Sequence, residues 1–210
     1  MPDFVSLSDD LVNPEIIASD PVFQGRVWDI RQDTFVLDGH HITREYMDHT
    51  GAVAVLALDE RDRVLLIKQY RHPVRMRDWE LPAGLLDIHG ESPLLAAQRE
   101  LAEEADLVAE TWDLLSEFMT SPGGSNEVLR IYLARGVSAA HEVFARTEEE
   151  AGIELRWVPL DEVVDGVLSR DLQNSILAIA ALSAAAGRER GWETLGDPNA
   201  PWPRHPLERR

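Results

Sequence analysis

Cysteine does not occur among the 210 residues, which excludes disulfides, thiolate zinc sites and cysteine nucleophiles together. Lysine is almost as scarce. Lys68 stands alone among 20 basic residues, against 38 acidic ones, for a formal net charge of −18. So acidic a chain gains little from releasing the counterions of a duplex, so nucleic acid is not an expected partner. No apolar run approaches the ~18 residues of a membrane-spanning helix, and no membrane association is expected. The opening MPDFVSLSDD lacks the basic start and apolar stretch of a signal peptide, so the expected location is cytoplasmic. The seven histidines show no metal-site spacing, and SPGGSN at residues 121–126 lacks the lysine and serine or threonine of a phosphate-binding P-loop.

What is present suits one well-packed domain with a smaller appended piece. Residues 25–38 (GRVWDIRQDTFVLD) alternate in part and read as strand–turn–strand, and residues 40–47 read as a further strand. Residues 53–58 and 64–70 are apolar runs separated by a polar turn, which predicts a β-hairpin. Residues 91–105 give the strongest helix, with Ser92 as its cap and Pro93 at the first helical position. Strands over 128–133 and 153–158, and helices over 159–168 and 172–186, complete the pattern. A proline-rich tail from Gly196 is expected to lie extended on the surface. Strands and helices mix without regular β–α alternation, so the fold class is an α/β sandwich with a mixed sheet.

The helix carries the chemistry. Glu100, Glu103 and Glu104 stand at i, i+3 and i+4 and project from one face, while Leu94, Leu101, Ala102 and Ala105 fall toward the other. Like charges so placed repel by about 0.2–0.5 kcal/mol per pair, and only Arg99 dilutes them. Such a turn is either a solvated acidic face or a site for a hard divalent cation, which takes oxygen ligands and shares itself with substrate phosphates. Just upstream, Trp79-Glu80-Leu81-Pro82-Ala83-Gly84 offers a main-chain carbonyl near Ala83 to the same ion. Residues 71–77 (RHPVRMR) form the densest basic cluster of the folded region. Guanidinium groups suit phosphate; they also suit the many surface acids.

Glu91, seven residues, then Arg99-Glu100-Leu101-Ala102-Glu103-Glu104, with Leu107 at the closing apolar position, resemble the Nudix box, G-x5-E-x7-R-E-U-x-E-E-x-G-U with U apolar. Two positions depart from it. Six residues, not five, separate Gly84 from Glu91, and Asp106 replaces the second glycine. Aspartate tolerates a left-handed backbone better than most residues, so the helix exit is expected to survive. GAVAVLAL, LIKQYRHPV, WELPAG and SPGGSNE extend the resemblance over about residues 25–158, toward the ADP-ribose pyrophosphatase branch of the family.

That resemblance implies residues 1–48 as a β-region exchanged within a homodimer, 49–190 as the Nudix domain, and 191–210 as the tail. It implies hydrolysis of ADP-ribose to AMP and ribose 5-phosphate. It also implies two or three magnesium ions, with manganese as an alternative, held by the Ala83 main-chain carbonyl, Glu100 and Glu104 with Glu103 close by. Arg99 would orient a neighbouring glutamate, and Glu149 would act as general base, with Glu148 and Glu150 as alternatives. Arg44 and Arg71 would contact phosphate, and Glu80 is a further substrate-binding candidate. Trp28 would stack on adenine or pack in the dimer interface; Glu127 would bond ribose hydroxyls or sit as a strand-edge charge. SPGGSN would be a mobile substrate loop. Two other functions stay open: a pyrophosphatase for another nucleoside diphosphate sugar, and a non-catalytic nucleotide sensor.

Overall fold

A computed structural model describes residues 7–140 and 152–205. Among the described residues the strands form three sheets. In chain order the elements are β1 (Glu15–Gln24), β2 (Asp29–Leu37), β3 (His40–Asp48), β4 (Ala52–Ala57), β5 (Arg63–Arg71), β6 (Met76–Glu80), β7 (Ala83–Leu85), α1 (Pro93–Ala105), β8 (Leu107–Met119), β9 (Val128–Ala139), β10 (Glu154–Pro159), α2 (Leu160–Ser169) and α3 (Ser175–Glu189). The sheet orders are β1-β2-β3, β10-β5-β6 and β7-β4-β9-β8.

Strand β4 explains the layering. Its six residues AVAVLA are all buried, as expected of a strand covered on both faces. Ala52, Ala54 and Leu56 join a core with Leu160 and Val163 of α2 and Leu177, Ala180 and Ala184 of α3. Val53, Val55 and Ala57 face a second core built on Ala96, Ala97, Leu101 and Ala105 of α1. Helices therefore cover both sides. β4 runs parallel to β9 and antiparallel to β7, so the sheet is mixed, as the sequence predicts.

The expected hairpin of β4 and β5 is not formed. The turn is present, with Asp59 accepting from the Arg61 and Arg63 N–H groups. Beyond the Leu58–Val64 bridge, however, the strands part into different sheets, β5 pairing with β10 and β6. Residues 29–37 form one strand, not two; it pairs antiparallel with β3 on one side and with β1 on the other, where the register shifts around Ile16/Ala18 and Pro21/Phe23. Strand β1 is exposed throughout.

Helix α1 is as read. The Ser92 hydroxyl accepts from the Leu95 N–H at 3.3 Å and Pro93 opens the first turn. Asp106 closes the helix in the left-handed region (φ 54°, ψ 37°), its N–H donating to Ala102, so the missing box glycine is absorbed. The tail does not lie idle on the surface. Gly196 pairs with Leu114, and Trp202 and His205 are buried. The Arg130 guanidinium, 2% exposed, stacks on Trp202 at 4.6 Å. It donates to the Ala200 carbonyl at 3.0 Å and to Glu117. A buried cation needs such partners, and the tail supplies Ala200 and Trp202.

Candidate active site

A cleft of about 780 Å³ opens between the N-terminal sheet, the β5–β6 turn and the start of α3. It gathers Trp28, Arg71, Glu80, Ala83 and Glu127, five of the residues singled out in the sequence. Arg71 grips Glu80 through both ends of its fork, Nε to Oε1 at 2.8 Å and Nη2 to Oε2 at 2.6 Å. Two of the guanidinium's five donors are thereby committed. Glu80 is buried. Burial pushes its carboxyl above the usual range against the pull of Arg71, and neighbouring Asp78 adds to the rise.

The floor of the cleft meets helix α1 at Ala83 and Gly84. The Ala83 N–H donates to Glu104 Oε2 at 2.9 Å. At Gly84 an added Cβ would overlap the Glu100 carboxylate, so only a glycine lets that side chain lie over the main chain. Glu104 is 6% exposed; it belongs to the buried side of the helix and not to the solvated face the helical spacing suggests. Arg99 is the hub of the remaining acids. It donates to both oxygens of Glu91 at 3.0 Å, to Glu100 Oε1 at 2.6 Å and to Glu103 Oε2 at 3.1 Å. Its bonds to Glu91, reinforced by Glu100 and Glu103, push the guanidinium above the ordinary arginine range. It is a permanent cation among three carboxylates.

This donor set fits a hard divalent ion. Glu91, Glu100, Glu103 and Glu104 offer oxygen only, with Arg99 on three of them and the field of Arg71 on Glu104, and they border main chain held close by Gly84. It is not a ready-made cage. Among the described residues no group of three His, Asp or Glu side chains stands poised for an ion, because the carboxylates rest on Arg99 and on the Ala83 N–H.

Arg44 is not brought into the cleft. It lines a separate groove of about 620 Å³ between the N-terminal sheet and residues 122–128, its Nη1 donating to the Thr43 carbonyl. Glu127 borders both hollows. Glu148, Glu149 and Glu150 lie outside the described residues. The SPGGSN loop is tied down at the end of β3, with Met47 N–H donating to Gly124 and Asn126 N–H to Met47. Sequence reasoning missed Asp78, His49 and Asn174. Asn174 Nδ2 donates to Asp78 at 3.2 Å across 96 positions, a pairing with no local signal. Glu91, by contrast, stood within the box motif and needed only its partner.

Residues 48–178 match the family model of the NUDIX domain, a span holding Arg71, Glu80, the box glutamates and Glu127. The chain belongs to the Nudix family. Among curated Nudix relatives, an ADP-ribose pyrophosphatase of Mycobacterium tuberculosis (strain ATCC 25618 / H37Rv) is 40% identical over 86% of this chain and 89% of its own. A second, from Bacillus subtilis (strain 168), also an ADP-ribose pyrophosphatase, is 34% identical over 78% of this chain and 88% of its own. The fold matches a crystal structure of an ADP compounds hydrolase with TM-score 0.71, at 22% identity, over 88% of this chain and 99% of that one. The Nudix α/β architecture read from the sequence is thus the one observed.

Proposed function

We propose that this Nudix hydrolase cleaves the pyrophosphate of ADP-ribose to AMP and ribose 5-phosphate. One observation carries the reading: the cleft joins an aromatic side chain, Trp28, and a guanidinium, Arg71, to the main chain on which Glu100 and Glu104 rest. These are recognition groups for a base, a diphosphate and a cation, in one hollow. The two curated relatives named for the same activity support it.

Glu100 and Glu104, with the Ala83 carbonyl and Glu103 close by, would hold magnesium, or manganese in its place. Bound there, the ion would neutralise phosphate charge and lower the pKa of a water. Arg99 keeps Glu91, Glu100 and Glu103 in fixed rotamers, so the acids are pre-oriented. Arg71, itself oriented by Glu80, would bind the diphosphate. Trp28 would stack on the base, and Glu127 would accept from ribose hydroxyls. We assign general-base work to Glu149, with Glu148 and Glu150 as alternatives. We also assign the N-terminal sheet, residues 1–48, to a homodimer interface. It exposes Ile16, Ile17, Val22 and Phe23, and exchange between subunits would carry Arg44 toward a neighbouring site. The Nudix domain is then 49–190 and the tail 191–210. The absence of cysteine agrees with a cytoplasmic setting.

The deciding assay offers ADP-ribose, GDP-mannose and NADH with magnesium and identifies products. The expected result is AMP and ribose 5-phosphate in equal amounts, with the highest kcat/KM for ADP-ribose. A higher kcat/KM for another diphosphate makes this a different Nudix specificity. Calorimetric binding without product makes the chain a sensor.

Gly84→Ala tests the floor of the site. Its methyl group must push the Glu100 carboxylate aside, and a displacement of about 1 Å costs on the order of a hundredfold in rate. Turnover is expected to fall by about that factor, with stability lowered by about 1–3 kcal/mol. Steady-state kinetics and urea unfolding read the two separately. An unchanged kcat would remove Glu100 from the chemistry.

A further inference from the structure

We propose that His49 is a positioning residue for the nucleoside end of the substrate, locking Trp28 and Glu127 into one recognition unit; this rests on the reading of the cleft as an ADP-ribose site. His49 lies just past β3, is 5% exposed, and lines the cleft. No spacing in the sequence marks it. Its imidazole stacks on the Trp28 indole with ring centroids 4.2 Å apart and planes 17° from parallel. Its Nδ1 accepts from the Gly51 N–H at 3.0 Å. That bond places the ring proton on Nε2, which faces Glu127 Oε1 at 3.3 Å. Burial lowers the pKa of the ring against the opposing pull of Glu127 and Asp48, consistent with a neutral imidazole of fixed tautomer.

Both partners are held as a result. Glu127 has one oxygen on His49 and the other accepting from Thr120 Oγ1 at 2.5 Å, so its rotamer is set from two sides. Trp28 has one ring face covered by the imidazole, and a planar base entering the cleft would meet the other. The two side chains come from different sheets. Trp28 precedes β2 in the N-terminal sheet and Glu127 precedes β9 in the central one. His49 sits at their junction, its own N–H donating to Asn126 Oδ1 at 2.8 Å. Ordering such groups before binding removes an entropy cost that the ligand would otherwise meet. None of these contacts involves Glu100 or Glu104, so the effect belongs to affinity and not to the phosphoryl step.

The experiment compares His49→Ala, His49→Phe and His49→Gln on ADP-ribose and on its inosine counterpart, with Trp28→Ala and Glu127→Ala as references. His49→Ala is expected to raise KM for ADP-ribose about tenfold, the size of one lost stacking or hydrogen-bonding contact, with kcat within about twofold of the parent. His49→Phe, which keeps the stack, should recover part of the lost affinity for both nucleotides, because stacking is tolerant of base identity. It should also add nothing to the KM of Glu127→Ala when the two are combined. If His49→Ala does not fold, the Phe and Gln variants and the combined variant carry the same comparison. Additive KM effects for His49→Phe and Glu127→Ala would overturn the proposal, as would a fall in kcat at constant KM. Parent-like His49 variants beside raised KM in Trp28→Ala and Glu127→Ala would overturn it as well. Parent-like KM in those two references would instead show that the reading of the cleft has failed.

Discussion

Glu104→Gln is expected to lower turnover of ADP-ribose by about a thousandfold or more, equivalent to about 4 kcal/mol of transition-state stabilisation, while the fold stays intact. Glutamine matches glutamate in shape, and its amide oxygen can still accept from the Ala83 N–H, the bond that docks α1 on β7. What disappears is a negative charge in a buried position, where electrostatic interactions are stronger than in water. Glu100→Gln should do the same, since Glu100 lies over the Gly84 main chain. Glu103, more exposed and held only at the edge of the Arg99 fan, should matter less. Steady-state kinetics alongside a thermal melt separates charge from fold. Turnover within tenfold of the parent in both variants would place the cation elsewhere.

Trp202→Ala carries the largest expected loss of stability, about 3–5 kcal/mol. At about 2–4 °C per kcal/mol for a chain of this size, the melting midpoint should fall by roughly 10 °C. The indole is buried, covers the Arg130 guanidinium and leans on His205 with ring centroids 4.9 Å apart. Truncation opens a cavity and lets water reach a cation that is 2% exposed. Trp202 and His205 also back the loop between Leu86 and Pro93, across a hollow of about 550 Å³, so activity should fall with stability. Trp202→Phe, which keeps an aromatic face over Arg130, should recover most of both. A midpoint shift under about 2 °C would make the tail peripheral.

What was legible in the sequence was local. The Ser92 cap, the proline at the first helical position and the glutamate spacing act within one or two turns, and α1 and its acids follow from them. Strand β4 was legible as a strand but not in its pairing. A fully apolar strand belongs at the centre of a sheet, and β4 found β7 and β9 there, leaving β5 to another. Strands β1 and β8 escaped notice for physical reasons. The first is exposed on both faces and contains Pro21; the second carries Glu110, Asp113 and Glu117 among its apolar residues. The tail was read from its prolines as surface chain, whereas Trp202 found Arg130 seventy-two positions away. In the site, glutamate identity was legible, but the burial of Glu104 was not, because it depends on the β7 main chain. His49 is a similar case: its partners at Trp28 and Glu127 meet only once two sheets have formed.

Among the described residues strand β1 forms the margin of its sheet, and its ladder is interrupted twice, once at a proline. A proline offers no N–H, and each irregularity turns the local backbone out of register with any straight strand laid beside it. Both devices disfavour edge-to-edge addition of further copies along a margin that displays Ile16, Ile17, Val22 and Phe23.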